Sequence, residues 1–322
     1  MISNSKSFSK INEIINIGDY YNRFDVYNTT KNAFNKLNNN ECLVPNNQEY
    51  LIGKNQLILK HRIGSNSRYG IIYLTTSKDY YKFATKLTPV HVQNYTEIQI
   101  AKKLSNVTIK DKSPHFLIVY KVMGCNNNRE LTTLPNLIKN SDYFISVNEL
   151  ISGNFRNFLL NSNPNEELII NALQQILIAI LSFHTFTGGL FHNDCHYRNF
   201  LFHKIKPGGY FHYNIYGKDI YVKNLGYVWL IWDFGLVRMD KFYSKKRLDD
   251  YFRILYFFIK YYNIKNNNPV INKIWELNDE YSYIFGSSDK KFFEFLFRLK
   301  DLFDYNIPQN TKIINSKPYI IK

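Results

Sequence analysis

The pattern of hydrophobic and polar residues changes along the chain and predicts where its elements lie. Residues 1–50 are polar and rich in Asn, and a helical pattern appears near 8–17 and again near 29–37. From residue 56, runs of β-branched and aromatic residues alternate with polar turns, which is typical of antiparallel strands. The predicted strands cover 56–63, 70–76, 80–87, 115–123 and 143–150, and a helix at 94–105 follows the third strand.

Beyond residue 151 the apolar residues recur at spacings of three and four, which indicates helices with one buried face. Helices are predicted at 163–186, 248–262 and 290–303. The aromatic stripe of the last helix suits either a membrane surface or a core. We favour the core, because the other helices are equally aromatic. The run 227–235 is typical of a buried strand that ends in a turn.

These elements predict an α+β protein of two lobes. Residues 1–50 form an extension that packs on the main body, and residues 51–150 form a five-stranded lobe with one helix. Residues 151–322 form a mainly helical lobe. Within it, the Gly-Gly and Gly-Lys-Asp turns near 203–226 predict an inserted β-hairpin. A chain of 322 residues is long enough for each lobe to have its own core.

Composition limits the classes of protein that fit. Apolar residues make up 45% of the chain, which is typical of a globular and not a disordered protein. The net charge of +15 attracts nucleic acids, nucleotides, anionic membranes or acidic proteins, although a lysine-rich soluble surface accounts for most of it. No module of interleaved aromatic and basic residues predicts a specific nucleic-acid partner.

The cysteines and the apolar runs bear on the compartment. Cys42, Cys125 and Cys195 lie far apart and form no Cys-x-x-Cys pair, so we expect neither a disulfide framework nor a zinc ribbon. The same spacing predicts a reducing compartment. The first residues have no long apolar core, which argues against a secretory signal. No run approaches the roughly 20 apolar residues of a membrane helix, so we expect a soluble, intracellular monomer.

The densest chemistry lies in LFHNDCHYRNFLF, residues 190–202. His192, Asp194 and Asn199 stand there between two apolar runs. On a strand, His192, Asp194 and His196 would point to one face and suit a transition metal, but no further ligand cluster supports such a site. Polar residues between apolar flanks also suit a catalytic loop that is held in a fixed shape.

Farther along, a buried strand ends in Asp-Phe-Gly at 233–235. His-x-Asp-x-x-x-x-Asn followed by Asp-Phe-Gly resembles the protein kinase-like superfamily, and the resemblance covers about residues 56–262. It implies a two-lobed kinase-like fold and transfer of the γ-phosphate of ATP with Mg²⁺. It also implies that Asp194 accepts the proton of the substrate hydroxyl, and that Asn199 and Asp233 hold Mg²⁺.

The first half of the chain supplies matching phosphate-binding residues. IGSNSRYGIIY, residues 63–73, resembles the loop that covers the ATP phosphates, with Gly64 and Gly70 as its first and last glycines and the middle one missing. FATK resembles the Val-Ala-Ile-Lys motif, which implies that Lys86 is the catalytic lysine that contacts the α- and β-phosphates. Glu97 is its expected helix partner, although it lies closer in sequence than usual. A solvated helix carboxylate is the alternative.

The stretch ISVNELISGNFRNFL, residues 145–159, resembles the link between the two kinase lobes. The resemblance implies that backbone groups of Glu149 and Ile151 contact adenine, and that Asn148 takes the gatekeeper position beside it. It also implies a structural role for His192, which would brace the catalytic loop from behind.

Several features depart from ordinary protein kinases. Asn193 replaces the Arg that binds a phosphorylated activation loop, so we expect no switch of that kind. His196 replaces a Lys, as in haspin-like kinases and in small-molecule kinases of the choline and aminoglycoside type. No Ala-Pro-Glu follows Asp-Phe-Gly, and Asp249 or Asp250 already resembles the Asp that opens the next helix. The long insert and the composition resemble divergent Ser/Thr kinase-like proteins of large DNA viruses, which implies host cytoplasm or the virion.

Three functions remain open from the sequence. The leading hypothesis is a Ser/Thr protein kinase that uses ATP and Mg²⁺, because Lys86, Asp194, Asn199 and Asp233 are all present. The basic run YSKKR at 243–247 suits an acidic protein substrate, or it is only solvated. A small-molecule kinase is favoured by the histidine in the loop and the short segment after Asp-Phe-Gly. A non-catalytic pseudokinase is favoured by the irregular glycine loop.

Overall fold

The computed structural model describes most of the chain. The described residues are 16–38, 42–46, 49–53, 56–64, 70–126, 138, 141–238, 244–262, 288–297, 303 and 312–322. Most of the helix predicted near 8–17 lies outside them, and the one predicted near 29–37 begins earlier, as α1 (Asn22–Lys36).

The largest sheet has seven strands, all antiparallel, in the order β1-β2-β3-β4-β5-β7-β6. Its strands are β1 (Val44–Asn46), β2 (Glu49–Ile52), β3 (Leu57–Ile63), β4 (Ile71–Ser77), β5 (Lys82–Pro89), β6 (Val119–Cys125) and β7 (Tyr143–Glu149). Helix α2 (Val92–Ile109) follows β5 in the chain. The five strands and the helix predicted for this region are therefore confirmed within a few residues.

The predicted two-lobed kinase-like fold was wrong, although the chain is α+β. The main sheet has seven strands and not five, because β1 and β2 come from the polar stretch around residue 50 and extend the sheet beyond β3. The described part of the chain after residue 150 has strands as well as helices. It contains two further three-stranded sheets within the described residues, ordered β12-β9-β8 and β11-β10-β13.

The first small sheet consists of β8 (Gly153–Asn154), β9 (Phe200–Lys204) and β12 (Tyr227–Ile231). The second consists of β10 (Tyr210–Ile215), β11 (Lys218–Lys223) and β13 (Tyr319–Ile321). Strands β10 and β11 are the hairpin predicted near 203–226, and β13 joins β10 in parallel from the far end of the described chain. This long-range pairing could not be read from the hairpin's own sequence.

The helices after the main sheet are α3 (Phe155–Ser162), α4 (Glu166–Thr187), α5 (Ser244–Tyr262) and α6 (Asp289–Phe297). Helix α4 begins where the Asn165 side chain accepts a hydrogen bond from Leu168 N, at 3.0 Å. It ends at Gly188, whose φ of 80° lies in the left-handed region that glycine tolerates. Most of its side chains are buried in the larger hydrophobic core.

Helix α4 is also the one described helix that is long and apolar enough to cross a membrane. Of its apolar window, 72% is buried inside the protein. The helix therefore packs as a core element, which is consistent with the soluble protein expected from the sequence.

The cysteines were predicted to form no disulfide framework, yet two of the three are joined by a disulfide. Cys42 and Cys125 are bonded to each other, with their Cα atoms 5.7 Å apart. They are separated by 83 positions in sequence, so spacing alone gave no sign that Cys42 lies beside the end of β6. The third cysteine, Cys195, is free and buried. The cysteines therefore no longer argue for a reducing compartment.

A buried glutamine joins α4 to β12, the strand that leads into Asp-Phe-Gly. Gln175 Nε2 donates to Tyr227 O at 3.0 Å and to Asn171 Oδ1 at 2.9 Å. Its Oε1 accepts from Trp229 N at 3.1 Å. The side chain is fully buried, so water cannot replace these partners.

We predict that Gln175→Leu lowers the free energy of unfolding by about 1–3 kcal/mol, because it leaves buried backbone groups of β12 without a partner. The measurement is urea unfolding followed by circular dichroism. Gln99→Leu, at an exposed position of α2, is the matched control and should change the unfolding free energy little. Equal effects of the two substitutions would contradict the bridging role of Gln175.

Candidate active site

The loop after α4 is held by one buried carboxylate. Asp250 of α5 accepts from the backbone N–H of His192 at 2.7 Å and from that of Asn193 at 2.9 Å. Asp250 is fully buried. Of the two aspartates that the sequence offered for this position, the structure therefore places Asp250 against the loop.

Asn193 has a left-handed backbone, with φ of 63°. Asparagine tolerates this region better than most residues. Both of its backbone polar groups are bonded, since its N–H donates to Asp250 and its carbonyl oxygen accepts from Arg253 at 2.8 Å. The left-handed turn breaks the strand-like alternation that a metal site of His192, Asp194 and His196 required. Within the described residues, no three His, Cys, Asp or Glu side chains are grouped to hold a metal ion.

His192 joins the loop to Trp232, the residue before Asp233. It is fully buried, and its Nε2 donates to Trp232 O at 2.9 Å. Its ring lies edge-on to Phe183 and to Phe234, which stack on each other with centroids 5.6 Å apart. Burial lowers the pKa of His192, so the imidazole is neutral near pH 7. A neutral, packed ring suits a structural role.

The side chains of Asp194 and Asn199 are hydrogen-bonded to each other within the loop. Asn199 Nδ2 donates to Asp194 O at 2.9 Å and to Asp194 Oδ2 at 3.0 Å. His196 Nε2 lies 3.5 Å from the same carboxylate. Burial works to raise the pKa of Asp194, but His196, His192 and Asn199 together lower it below its ordinary value. Asp194 is therefore an ionised carboxylate that is 27% exposed and can accept a proton.

Lys86 and Glu97 form a buried ion pair, with Nζ 2.5 Å from Oε1. Lys86 lies on β5 between β4 and β7, where it is opposite Ile72 and Ser146, and Glu97 lies on α2. Burial works to lower the pKa of Lys86, but the carboxylates of Glu97 and Asp233 raise it above its ordinary value. The short sequence gap between Lys86 and Glu97 is thus no obstacle to their pairing.

Asp233 connects this ion pair to the loop. A Cβ placed on Gly235 would lie 3.6 Å from Asp233 Oδ1 and 3.9 Å from Glu97 Oε2, so both carboxylates flank this glycine. The preceding residue, Trp232, donates from its backbone N–H to Asn199 O at 2.9 Å. Its indole ring lies 5.7 Å from Lys86 Nζ, in a cation–π contact. The structure therefore brings Asp233 close to Lys86. It also joins the turn that contains Asp233 to the loop that contains Asp194 and Asn199.

The two glycines of the proposed phosphate loop differ in backbone conformation and in the space around them. Residues 65–69 lie outside the described part of the chain. Gly64 has φ of 80° and open space around it. At Gly70, a Cβ would lie 2.6 Å from Thr88 Cγ2 and 3.2 Å from Lys86 Cε. Leu87 O would lie 2.8 Å away, so only glycine at 70 leaves room for this backbone oxygen and for the Thr88 and Lys86 side chains.

The two link residues, Glu149 and Ile151, differ in how many of their polar groups are already bonded within the protein. Glu149 N donates to Ile118 O at 2.9 Å, so this backbone N–H is already used. The Glu149 carboxylate is buried and binds Arg23 of α1. Ile151 is half-buried beyond the end of β7. Whether their remaining backbone groups contact adenine stays a prediction.

Some residues that position the site were missed in the sequence. His184 is one of them: its Nε2 lies 3.0 Å from Asp250 Oδ2 and its Nδ1 lies 3.2 Å from Asp289 Oδ1. The sequence did offer one sign of this role, because His184 lies one turn before the end of the predicted helix and shortly before the loop. The sequence offered no such sign for Asp289 or Arg23, because both residues are distant in sequence from every motif.

Comparisons with known proteins give a distant, partial similarity. No protein-family profile matches the chain. A segment of 73 residues is 38% identical to "Putative serine/threonine-protein kinase 019R" of Frog virus 3 (isolate Goorha). The segment covers 22% of this chain and 8% of the viral protein, so the chain matches less than a tenth of that relative's length. The resemblance to viral kinase-like proteins is supported at this coarse level.

The contribution of His184 to the stability of the folded protein depends on pH. Burial works to lower its pKa, but the hydrogen bonds to Asp250 and Asp289 raise it from 6.5 to about 9. Because the folded-state pKa exceeds the unfolded one, this contribution to stability is complete below pH 6.5 and is lost as pH rises through about 9.

We predict that Asp289→Asn moves this loss of stability toward neutral pH, since it removes one carboxylate that favours the charged imidazole. The measurement is the urea midpoint between pH 6 and pH 10. Asp219→Asn is the control, because it removes the carboxylate of a His–Asp pair on the outer hairpin, where Asp219 is exposed. If the pH profiles of Asp289→Asn and the wild type are parallel, the ion cluster does not couple to loop support.

Proposed function

We propose that this chain is an ATP- and Mg²⁺-dependent phosphotransferase whose acceptor is a Ser or Thr hydroxyl of a protein. One observation carries the proposal: the bond from Trp232 N to Asn199 O fixes the turn of Asp233 beside the loop of Asp194. Phosphoryl transfer needs little covalent chemistry from a protein, but it needs acceptor and phosphates in fixed positions. The partial similarity to a viral protein named as a Ser/Thr kinase points the same way.

Asp194 is the residue that would meet the acceptor. It is ionised and partly exposed, and Asn199 holds its orientation. As the acceptor oxygen bonds to the γ-phosphorus, the bond from phosphorus to the ADP oxygen breaks and ADP leaves with the electron pair. The hydroxyl proton passes to the Asp194 carboxylate. Lys86 is held by Glu97 and would bind oxygens of the α- and β-phosphates.

The residues fit Mg²⁺ by their donor chemistry. Asn199 Nδ2 donates twice to Asp194, so the amide oxygen faces away from that residue. Asp233 supplies a carboxylate. Two oxygen donors from the protein suit Mg²⁺, which usually keeps waters and phosphate oxygens as its other ligands. When bound, Mg²⁺ supplies positive charge that neutralises the phosphates.

A small-molecule acceptor is the second candidate. It is favoured by His196, which lies 3.5 Å from the Asp194 carboxylate where protein kinases usually place a Lys. A histidine there places a compact imidazole, and not a long flexible ammonium group, beside the acceptor. The acceptor class is therefore part of the test.

We predict that the wild type transfers labelled γ-phosphate from ATP to casein, to histone or to itself when Mg²⁺ is present. Asp194→Asn should lower the rate by about 100-fold or more, since general-base help of this kind contributes 10²–10⁴-fold. Asp233→Asn should lower it at least as much, because it removes a ligand of Mg²⁺. The measurement is the initial rate of label incorporation.

Asp79→Asn is the matched control for both substitutions, because Asp79 is an exposed carboxylate in the turn between β4 and β5. It should leave the rate unchanged. Labelled metabolite without labelled protein would move the acceptor to the small-molecule class. Undiminished transfer by Asp194→Asn would rule out the role given to that residue.

A further inference from the structure

A buried arginine joins the N-terminal helix to the end of the main sheet. Arg23, in the first turn of α1, is 3% exposed. Its Nε and NH2 donate to both carboxylate oxygens of Glu149, at 3.1 and 2.6 Å. Its NH1 donates to Pro114 O at 2.9 Å, and NH2 donates also to Phe116 O at 2.8 Å. One side chain thus binds two separate parts of the chain in four hydrogen bonds.

The partner carboxylate lies at the start of the link that is predicted to contact the nucleotide. Glu149 ends β7, two residues before Ile151. Its Oε1 also accepts from Ile118 N at 2.8 Å, and His203 Nε2 lies 3.1 Å from Oε2. Burial works to raise the pKa of Glu149, but Arg23 and His203 lower it to about 2, so the carboxylate is charged.

The same cluster reaches the catalytic loop. His203 lies on β9, the strand that follows directly after Asn199. The residues before α1 also run beside β9, since Ile17 N donates to Lys204 O at 3.0 Å. The N-terminal segment therefore contacts the end of β7, the strand that pairs with the strand of Lys86, and also β9, which follows directly after Asn199.

Stability alone is a poor reason for this arrangement. Removing two charges from water costs several kcal/mol for each ion, and a well-packed apolar pair is often at least as stable. A two-pronged arginine–carboxylate pair does fix the distance and the angle between the groups that it joins. The cluster is therefore suited to hold one geometry.

We infer that Arg23 is a positioning residue for nucleotide binding, which acts through Glu149 to hold residues 149–151 in the conformation that receives the base. This inference rests on the proposed function. It assigns α1 of the N-terminal extension an indirect role, through Glu149, in nucleotide binding by the same chain. It also explains why Glu149 keeps a buried, charged side chain while only its backbone is expected to face the nucleotide.

The test compares Arg23→Met, Arg23→Lys and Lys36→Met, an exposed control on the same helix. The measurements are the dissociation constant of a fluorescent ATP analogue with Mg²⁺, the KM for ATP, kcat and the urea midpoint. We expect Arg23→Met to raise the dissociation constant and the KM by about tenfold or more, with a smaller change in kcat. Arg23→Lys should lie between it and the wild type, because lysine keeps the charge but not the fork.

The outcomes separate this inference from the function on which it rests. If Arg23→Met does not fold, Arg23→Lys decides the matter by the same constants. Wild-type KM in a folded Arg23 variant with a lowered urea midpoint would make Arg23 merely structural and would overturn the inference alone. A wild type that neither binds the analogue nor transfers phosphate would overturn the proposed function, and the inference with it.

Discussion

The structure around the site depends on one buried carboxylate. Asp250 accepts two backbone N–H groups of the loop, at His192 and Asn193, and the second of these residues is in a left-handed conformation. A carboxylate buried in this way needs a counter-charge, and His184 supplies it while also contacting Asp289. The position of Asp194 is thus set by α4, α5 and α6 together.

A second set of contacts joins the loop to the main sheet. The backbone bond between Trp232 and Asn199 places the Asp-Phe-Gly turn beside the loop, and the packing of Phe234 on Phe183 anchors that turn to α4. Lys86 then meets Glu97 from the sheet side. These contacts bring the site residues together in a fold that differs from the predicted two-lobed one.

The sequence predicted those features that depend on nearby residues. Alternating apolar residues located the central strands, and the motif spacing located His192, Asp194 and Asn199. Other features depend on contacts between distant residues: the Cys42–Cys125 disulfide, the pairing of β13 with β10, and the addition of β1 and β2 to the sheet beyond β3. The buried charges of Arg23 and Asp289 were missed for the same reason, since a charged residue in a polar stretch usually faces water.

On the proposed function, Lys86, Asn199 and Asp233 belong to one site for nucleotide and Mg²⁺. Calorimetric titration of ATP into the wild type and Asp233→Asn, each with and without Mg²⁺, tests it most directly. We expect Mg²⁺ to strengthen ATP binding by the wild type and to have little effect on Asp233→Asn, because that variant lacks the carboxylate ligand. ATP binding that is equally strong with and without Mg²⁺ in the wild type, or no binding at all, would contradict the account.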